Sequence, residues 1–170
     1  MLSKEIVALI NTQINKELFS AYLYVEFANH FYEAGLDGFA HWYMVQAQEE
    51  RDHAMKFLHY LHDNGAKVVL GAIEAPTPQV RTHMDVLKIG SAHEQYVTSL
   101  IHKIYETAFT QKDYRTMQFL DWYVKEQCEE EKNASELIQK MELFGDDPKS
   151  LYMLNQELGT RVYVAPQAEE

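Results

Sequence analysis

The chain has 170 residues, 46% of them hydrophobic and 24% charged, which suits one compact core, leaves little room for a second, and excludes a disordered or fibrous protein. Fifteen Lys+Arg against 26 Asp+Glu give a formal net charge of -11, a field that repels phosphate backbones and gathers cations, so nucleic acid is not an expected partner. The opening run MLSKEIVALINTQINKELF breaks every apolar stretch with a charge or an amide, so no signal peptide or membrane span is expected, and the single Cys128 suits the reducing cytoplasm.

A single domain over 1–170 is expected, all α. Only Pro76, Pro78, Pro148 and Pro166 interrupt the chain, leaving long stretches free of the strongest helix breaker. In the first, Ile10, Ile14, Ala21, Ala28 and Phe31 recur at helical spacing between a Ser3 cap and a Gly35 stop, which predicts a helix over 4–34. Phe39, Tyr43, Ala47, Ala54, Phe57 and Leu61 predict a second over 38–64, ended by Asn64-Gly65. The next roughly 18 residues lose the period and hold two prolines, far longer than the few residues a helix pair needs, so they read as a crossover.

A third helix, 83–110, starts at Thr82 with Asp85 as a capping box and carries Leu87, Val97, Ile101 and Ile104. A fourth, 113–144, follows a short turn and carries Leu120, Tyr123, Ala134, Ile138 and Met141. Asp147-Pro148 opens a short fifth helix, 148–159, and the tail VAPQAEE reads as frayed. These elements make a four-helix bundle with one long crossover connection and a short fifth C-terminal helix, with the second and third helices parallel.

The apolar stripe of every long helix contains a carboxylate: Glu17 on the first, Glu50 on the second, Glu94 on the third and Glu130 on the fourth. Burying unpartnered carboxylates costs several kcal/mol or more each, enough to cancel the stability of a domain this size, so positive charge has to sit among them. At about 1.5 Å rise per residue, Glu17, Glu50 and His53 all lie roughly 25 Å from the first hairpin turn, and Glu94, Gln127 and Glu130 lie equally far from the second. Both hairpins thus bring their polar groups to mid-bundle. Glu50-Arg51-Asp52-His53 places a carboxylate and an imidazole one turn apart, the helical way to give two ligands to one metal. Oxygen-rich ligands with one nitrogen favour iron or manganese over structural zinc, and bridging carboxylates favour a two-metal site, here di-iron.

Each residue alone also fits a satisfied polar core, with Glu17 paired to Lys56 or His53 and Gln127 bonded to a carbonyl. Arg51 and Lys125 fall off the inward stripes, which leaves little cation without metal. By default Tyr24 and Trp122 are packing residues, and the other seven histidines share no spacing with the carboxylates, which places them at the surface or rim. Glu49, Glu126, Glu129 and Glu130 are candidates for a third, looser cation site.

The segments NKELFSAYLY, QEERDH, HEQ and FLDWYVKEQCEEEK resemble the ferritins, and along most of the chain the match is to the non-haem bacterial branch. The resemblance implies a ferroxidase in which Glu17, Glu50 and His53 hold one iron and Glu50, Glu94 and Glu130 the second, with Gln127 nearby. It further implies a third iron site at Glu49, Glu126, Glu129 and Glu130, electron supply from Tyr24 and Trp122, and hollow cages of 24 subunits storing ferric mineral. No haem is implied: bacterioferritins have a methionine where Arg51 stands and a second Glu-x-x-His where this chain has Gln127 and Glu130. The expected function is therefore iron storage, oxidising Fe(II) with O₂ or H₂O₂ and depositing the mineral. A di-iron oxygenase or peroxidase, or a non-catalytic helical assembly with a cation-binding interior, are the alternatives.

Overall fold

The computed structural model describes residues 1–165, so most of the tail read as frayed lies outside the described residues. Five helices follow in order: α1 (Lys4–Glu33), α2 (Asp37–Asp63), α3 (His83–Thr110), α4 (Tyr114–Phe144) and α5 (Pro148–Leu158). Ser3 accepts from the Ile6 N–H at 3.2 Å, Thr82 and Asp85 close a reciprocal capping box, and Asp147 caps α5 by accepting from the Ser150 N–H at 2.7 Å. At the far ends, α1 and α2 finish in matching turns. The Leu36 N–H reaches the Phe31 carbonyl and the Ala66 N–H reaches that of Leu61, geometry that needs a left-handed residue in between. Gly35 (φ 72°) and Gly65 (φ 66°) supply it.

α1 packs against α2 and α3 against α4, while α5 leans on α2 and α4. Across α1 and α3, Ser20 meets His93 and His30 meets His83, so these helices run antiparallel. α1 is also antiparallel to α2 through their short turn, which makes α2 and α3 parallel and requires the long link. That link, residues 64–82, climbs beside α1. Asn11 and Asn15, one turn apart, bracket it: Asn11 accepts from the Val69 N–H (2.6 Å) and donates to the Lys67 carbonyl (3.0 Å), and Asn15 accepts from the Gly71 N–H (3.0 Å).

Two apolar clusters fill the bundle. One contains Phe27, Phe31, Phe39, Tyr43, Leu87, Leu137, Met141 and Leu154; the other contains Ile10, Ile14, Phe57, Leu61, Ile101, Ile104, Leu120 and Tyr123. Between them lies a layer of buried polar side chains. On α4 the buried positions are 116, 120, 123, 127, 130, 137 and 141, whereas Ala134 and Ile138, expected inside, are half-buried. The buried face there keeps the 3.5-residue repeat of supercoiled bundles rather than a straight 3.6 period, so it passes through the small, half-buried Ala134 and turns to 137 and 141 instead of 138.

The start of α2 lacks a capping side chain of its own, since Leu36 occupies that place. Asn155 of α5 supplies the cap instead, its Oδ1 accepting from the Gly38 N–H at 2.8 Å and the Phe39 N–H at 3.1 Å. Contact is so close that a Cβ on Gly38 would fall 1.7 Å from the Asn155 carbonyl oxygen. Asn155→Ala is expected to cost about 1–2 kcal/mol, the usual loss for a helix cap, and Gly38→Ala more. Thermal unfolding of the metal-free protein measures both, and an unchanged midpoint for Gly38→Ala would show that α5 is not seated there.

Candidate metal centre

Packing of the four long helices brings a side chain from each of them into one layer. Glu17, Glu50, His53, Glu94, Gln127 and Glu130 are all buried. Glu17, Glu50 and His53 each offer a ligand atom within 4.8 Å of the others, and so do Glu50, Glu94 and Glu130. Glu50 belongs to both sets. A third grouping joins His53, Glu126 and Glu130.

The charge in this layer is poorly balanced. His53 Nδ1 lies 3.5 Å from Glu50 and Nε2 lies 3.9 Å from Glu126, and it is the one basic side chain among the four carboxylates. Lys56, a possible partner of Glu17 from the sequence, instead places its ammonium 4.3 Å over the Trp122 ring, and Arg51 points outward to Asp52. The remaining compensation comes from neutral donors. Gln13 donates to Glu17 at 2.9 Å, Gln46 donates to Glu130 at 2.8 Å and Glu50 at 3.2 Å, and Tyr24 donates its hydroxyl proton to Glu94. Two oxygens still have no partner: Oε2 of Glu17 and Oε2 of Glu130 are buried without a hydrogen bond. Buried oxygens of this kind are rare in proteins because each forfeits its hydration without return.

Protons take up part of the imbalance. Burial, then the Glu50 charge, pushes Glu17 up to about 8, and the same two causes push Glu94 up to about 7. Glu130 is raised well above the usual range by burial and the charges of Glu50, Glu94 and Glu17. Glu50 is different. Burial would raise it too, but the hydrogen bond and charge of His53 outweigh that and hold it below the ordinary value. Burial would likewise discharge His53, yet Glu50, Glu17 and Glu126 together raise it to about 9. These shifts favour a His53–Glu50 ion pair with protons retained on the neighbouring carboxyls, and divalent ions binding there would displace protons.

Other residues singled out in the sequence have varied settings. Gln127 donates to the Glu94 carbonyl (3.2 Å), to the Glu94 carboxylate (3.3 Å) and to Thr98 (3.2 Å), so its amide nitrogen faces that carboxylate. Trp122 is half-buried, edge-on to His53 with centroids 5.3 Å apart. Glu126 is half-buried beside His53, Glu129 is exposed, and Glu49 is held by Arg161 at 2.5 Å. Glu49 and Glu129 therefore stand outside the groups that converge. His93 is half-buried against Ser20 rather than at the rim, and His30 pairs with His83 at 3.0 Å. Gln13, Gln46, Tyr123, whose hydroxyl donates to the His53 carbonyl at 2.7 Å, and Arg161 were not picked out from the sequence. Gln13 and Gln46 each stand four residues before an inward glutamate, a spacing that reveals both.

Residues 7–144 match the model of the ferritin-like domain, and the chain belongs to the ferritin family. A bacterial non-haem ferritin of Campylobacter jejuni is 40% identical over 156 residues, covering 92% of this chain and 93% of that protein. Another, from Staphylococcus epidermidis, is 37% identical over 163 residues, covering 96% of this chain and 98% of its own. Among solved structures, a closed form of the Archaeoglobus fulgidus ferritin, engineered by mutagenesis, superposes with a TM-score of 0.94 at 40% identity, covering 96% of this chain and all of that one. The open-pore ferritin from the same archaeon gives 0.93 at 40% identity, covering 95% of this chain. This is an iron-storage protein of the non-haem ferritin class. No helix among the described residues is long and apolar enough to cross a membrane.

The titration of the layer has a measurable consequence. Glu17 moves from 4.5 to about 8 on folding and His53 from 6.5 to about 9, so the folded chain binds protons that the unfolded chain has released. Stability of the metal-free protein should therefore fall as pH rises from about 5 to about 9, opposed at acid pH by the depressed Glu50, Asp85 and Asp147 and, up to the ordinary histidine range, by His83 and His93, which burial lowers. Urea unfolding across this range measures the slope. Glu17→Gln should flatten it, and a slope unchanged by that substitution would show Glu17 to be ionised in the folded protein.

Proposed function

We propose that the buried layer is a ferroxidase centre, with Fe(II) as its substrate. Glu17, Glu50 and His53 take one ferrous ion, Glu50, Glu94 and Glu130 take the second, and Glu50 bridges them. The two unpartnered oxygens of Glu17 and Glu130 carry this reading, because their residues belong to different candidate ligand sets and neither oxygen accepts from the amide and phenol donors that line the layer. Adjacent ferrous ions release one electron each, which matches the two-electron reduction of O₂ or H₂O₂ and avoids a one-electron product. Gln13, Gln46, Gln127 and Tyr24 hold the carboxylates by their outer oxygens. Such outer partners commonly change metal affinity or activity by 10–100-fold when removed. Tyr24 and Trp122 flank the layer where they could return electrons, and Glu126 with Glu130 offers a further cation position next to His53.

Copies of this chain are proposed to assemble into a closed cage of 24 subunits in the cytoplasm, with the ferric product deposited as mineral inside. An oxygenase acting on an organic substrate has less support. The cavity between Tyr24, Gln46, Glu94, Glu130 and Leu137 measures about 10 Å³, room for roughly one water molecule.

Glu50→Ala and Glu94→Ala should each slow the oxidation of Fe(II) by O₂ more than about tenfold, read by stopped-flow absorbance. Wild-type protein incubated with Fe(II) in air should elute from size exclusion as one large iron-coloured particle. Unchanged rates in both variants, or iron retained only at a few ions per chain, would refute the ferroxidase and storage readings respectively.

A further inference from the structure

Beyond α5 the chain folds back across the outside of α2. The ring nitrogen Nε2 of His41 meets the Arg161 carbonyl at 2.8 Å, and the Tyr163 hydroxyl donates to Asp52. Between these anchors the Arg161 guanidinium lies 4.3 Å over the Trp42 ring and donates to the Trp42 carbonyl at 3.3 Å. Its other nitrogen reaches Glu49 at 2.5 Å, with side chains only 20% and 18% exposed. Nη1 also donates to Gln46 Oε1 at 3.0 Å.

Gln46 turns that contact inward. An amide has one accepting end and one donating end, so a cation on Oε1 commits the NH₂ group to the opposite side. There it meets Glu130 at 2.8 Å and Glu50 at 3.2 Å. Rotated by half a turn, Gln46 would set its oxygen against two carboxyl groups and its NH₂ against a guanidinium, unfavourable on both sides.

We propose that Arg161 is a positioning residue for the metal layer, fixing the Gln46 amide that holds Glu50 and Glu130 and occupying Glu49 as a built-in cation in place of a metal ion. The proposal rests on reading the layer as a binding site for divalent metal, and it adds to that site a residue from outside the four main helices. A metal ion approaching the side of Glu49 and Glu126 has to displace a guanidinium already held by a carboxylate, an amide oxygen, a carbonyl and an aromatic face. Lysine cannot replace it, because an ammonium on a flexible stem lacks the planar fork that spans Glu49 and Gln46 together.

Anaerobic calorimetric titration of Co(II) into the metal-free, full-length protein tests this, with the visible Co(II) spectrum reporting the ligand geometry. Arg161→Gln should bind about one further Co(II) per chain, since truncating one partner of a close ion pair leaves the other charge uncompensated. It should also bind the buried ions about tenfold more weakly with a changed spectrum, the scale expected for a lost outer partner. Arg161→Lys should suppress the extra ion yet keep the weakened layer. Tyr163→Phe loosens the same segment without touching the site and should match wild type. The inference is overturned if Arg161→Gln shows wild-type stoichiometry, affinity and spectrum, or if Tyr163→Phe reproduces its changes. Wild-type protein that takes no Co(II) into the layer would defeat the metal-site reading itself and this inference with it, whereas tight wild-type binding with an indifferent Arg161→Gln strikes the inference alone.

Discussion

Four carboxyl groups and one imidazole share a water-poor layer between two apolar clusters, and the electrostatics of that layer constrains the rest of the molecule. Charges at such separations interact strongly where solvent is excluded, so the layer can persist only if something neutralises it. Three agents do so together: the His53–Glu50 ion pair, protons on the remaining glutamates, and amide and phenol donors from Gln13, Gln46, Gln127 and Tyr24. Their supply falls short by two oxygens. Metal ions would complete the set, and on the proposed reading the same shortfall that weakens the metal-free protein is what a divalent cation would make good.

The bundle carries this weakness because its ends are built to compensate. Aromatic stacking of Phe31 with Phe39 and of Phe57 with Tyr123 consolidates the cluster on each side of the layer. Helix ends are capped by Ser3, Thr82, Asp113, Asp147 and, for α2, by Asn155 from a different helix. Stability is thereby concentrated away from the site. The converging residues sit on helices rather than loops, and the group of Glu50, Glu94 and Glu130 draws on three of them, so its spacing depends on the packing of both hairpins.

The two hairpins are related in layout but not in surroundings. α1 and α2 contribute the set with the only imidazole of the layer, and α3 and α4 contribute carboxyl and amide groups alone. Metal ions bound as proposed would find softer nitrogen at one position and oxygen alone at the other, which would make the two positions chemically unequal. Arg161, beyond α5, adds a further asymmetry, since it bonds to Gln46 and Glu49 of α2 and meets the layer from that side.

Periodicity was sufficient to locate the helices, because a residue that breaks its own apolar stripe, as Glu17, Glu50, Glu94 and Glu130 do, is visible in one dimension, and equal distances from two turns place such residues at one height. Capping signals at Ser3, Thr82 and Asp147 were equally local, since each bonds a backbone group within three residues. Contacts between segments distant in sequence were not legible in this way. Asn155 capping α2, Asn11 and Asn15 gripping the crossover, and Arg161 facing Glu49 join residues about 56 to 117 positions apart, and nothing in their neighbouring residues marks the partner. The departure of Glu49 and Glu129 from the converging set belongs to the same kind, whereas the parallel course of α2 and α3 was legible in the length of the crossover between them. A helix prescribes which of its faces is turned inward, but which side chains meet there depends on how far each helix is rotated and slid against the others, and only packing of the whole bundle settles that.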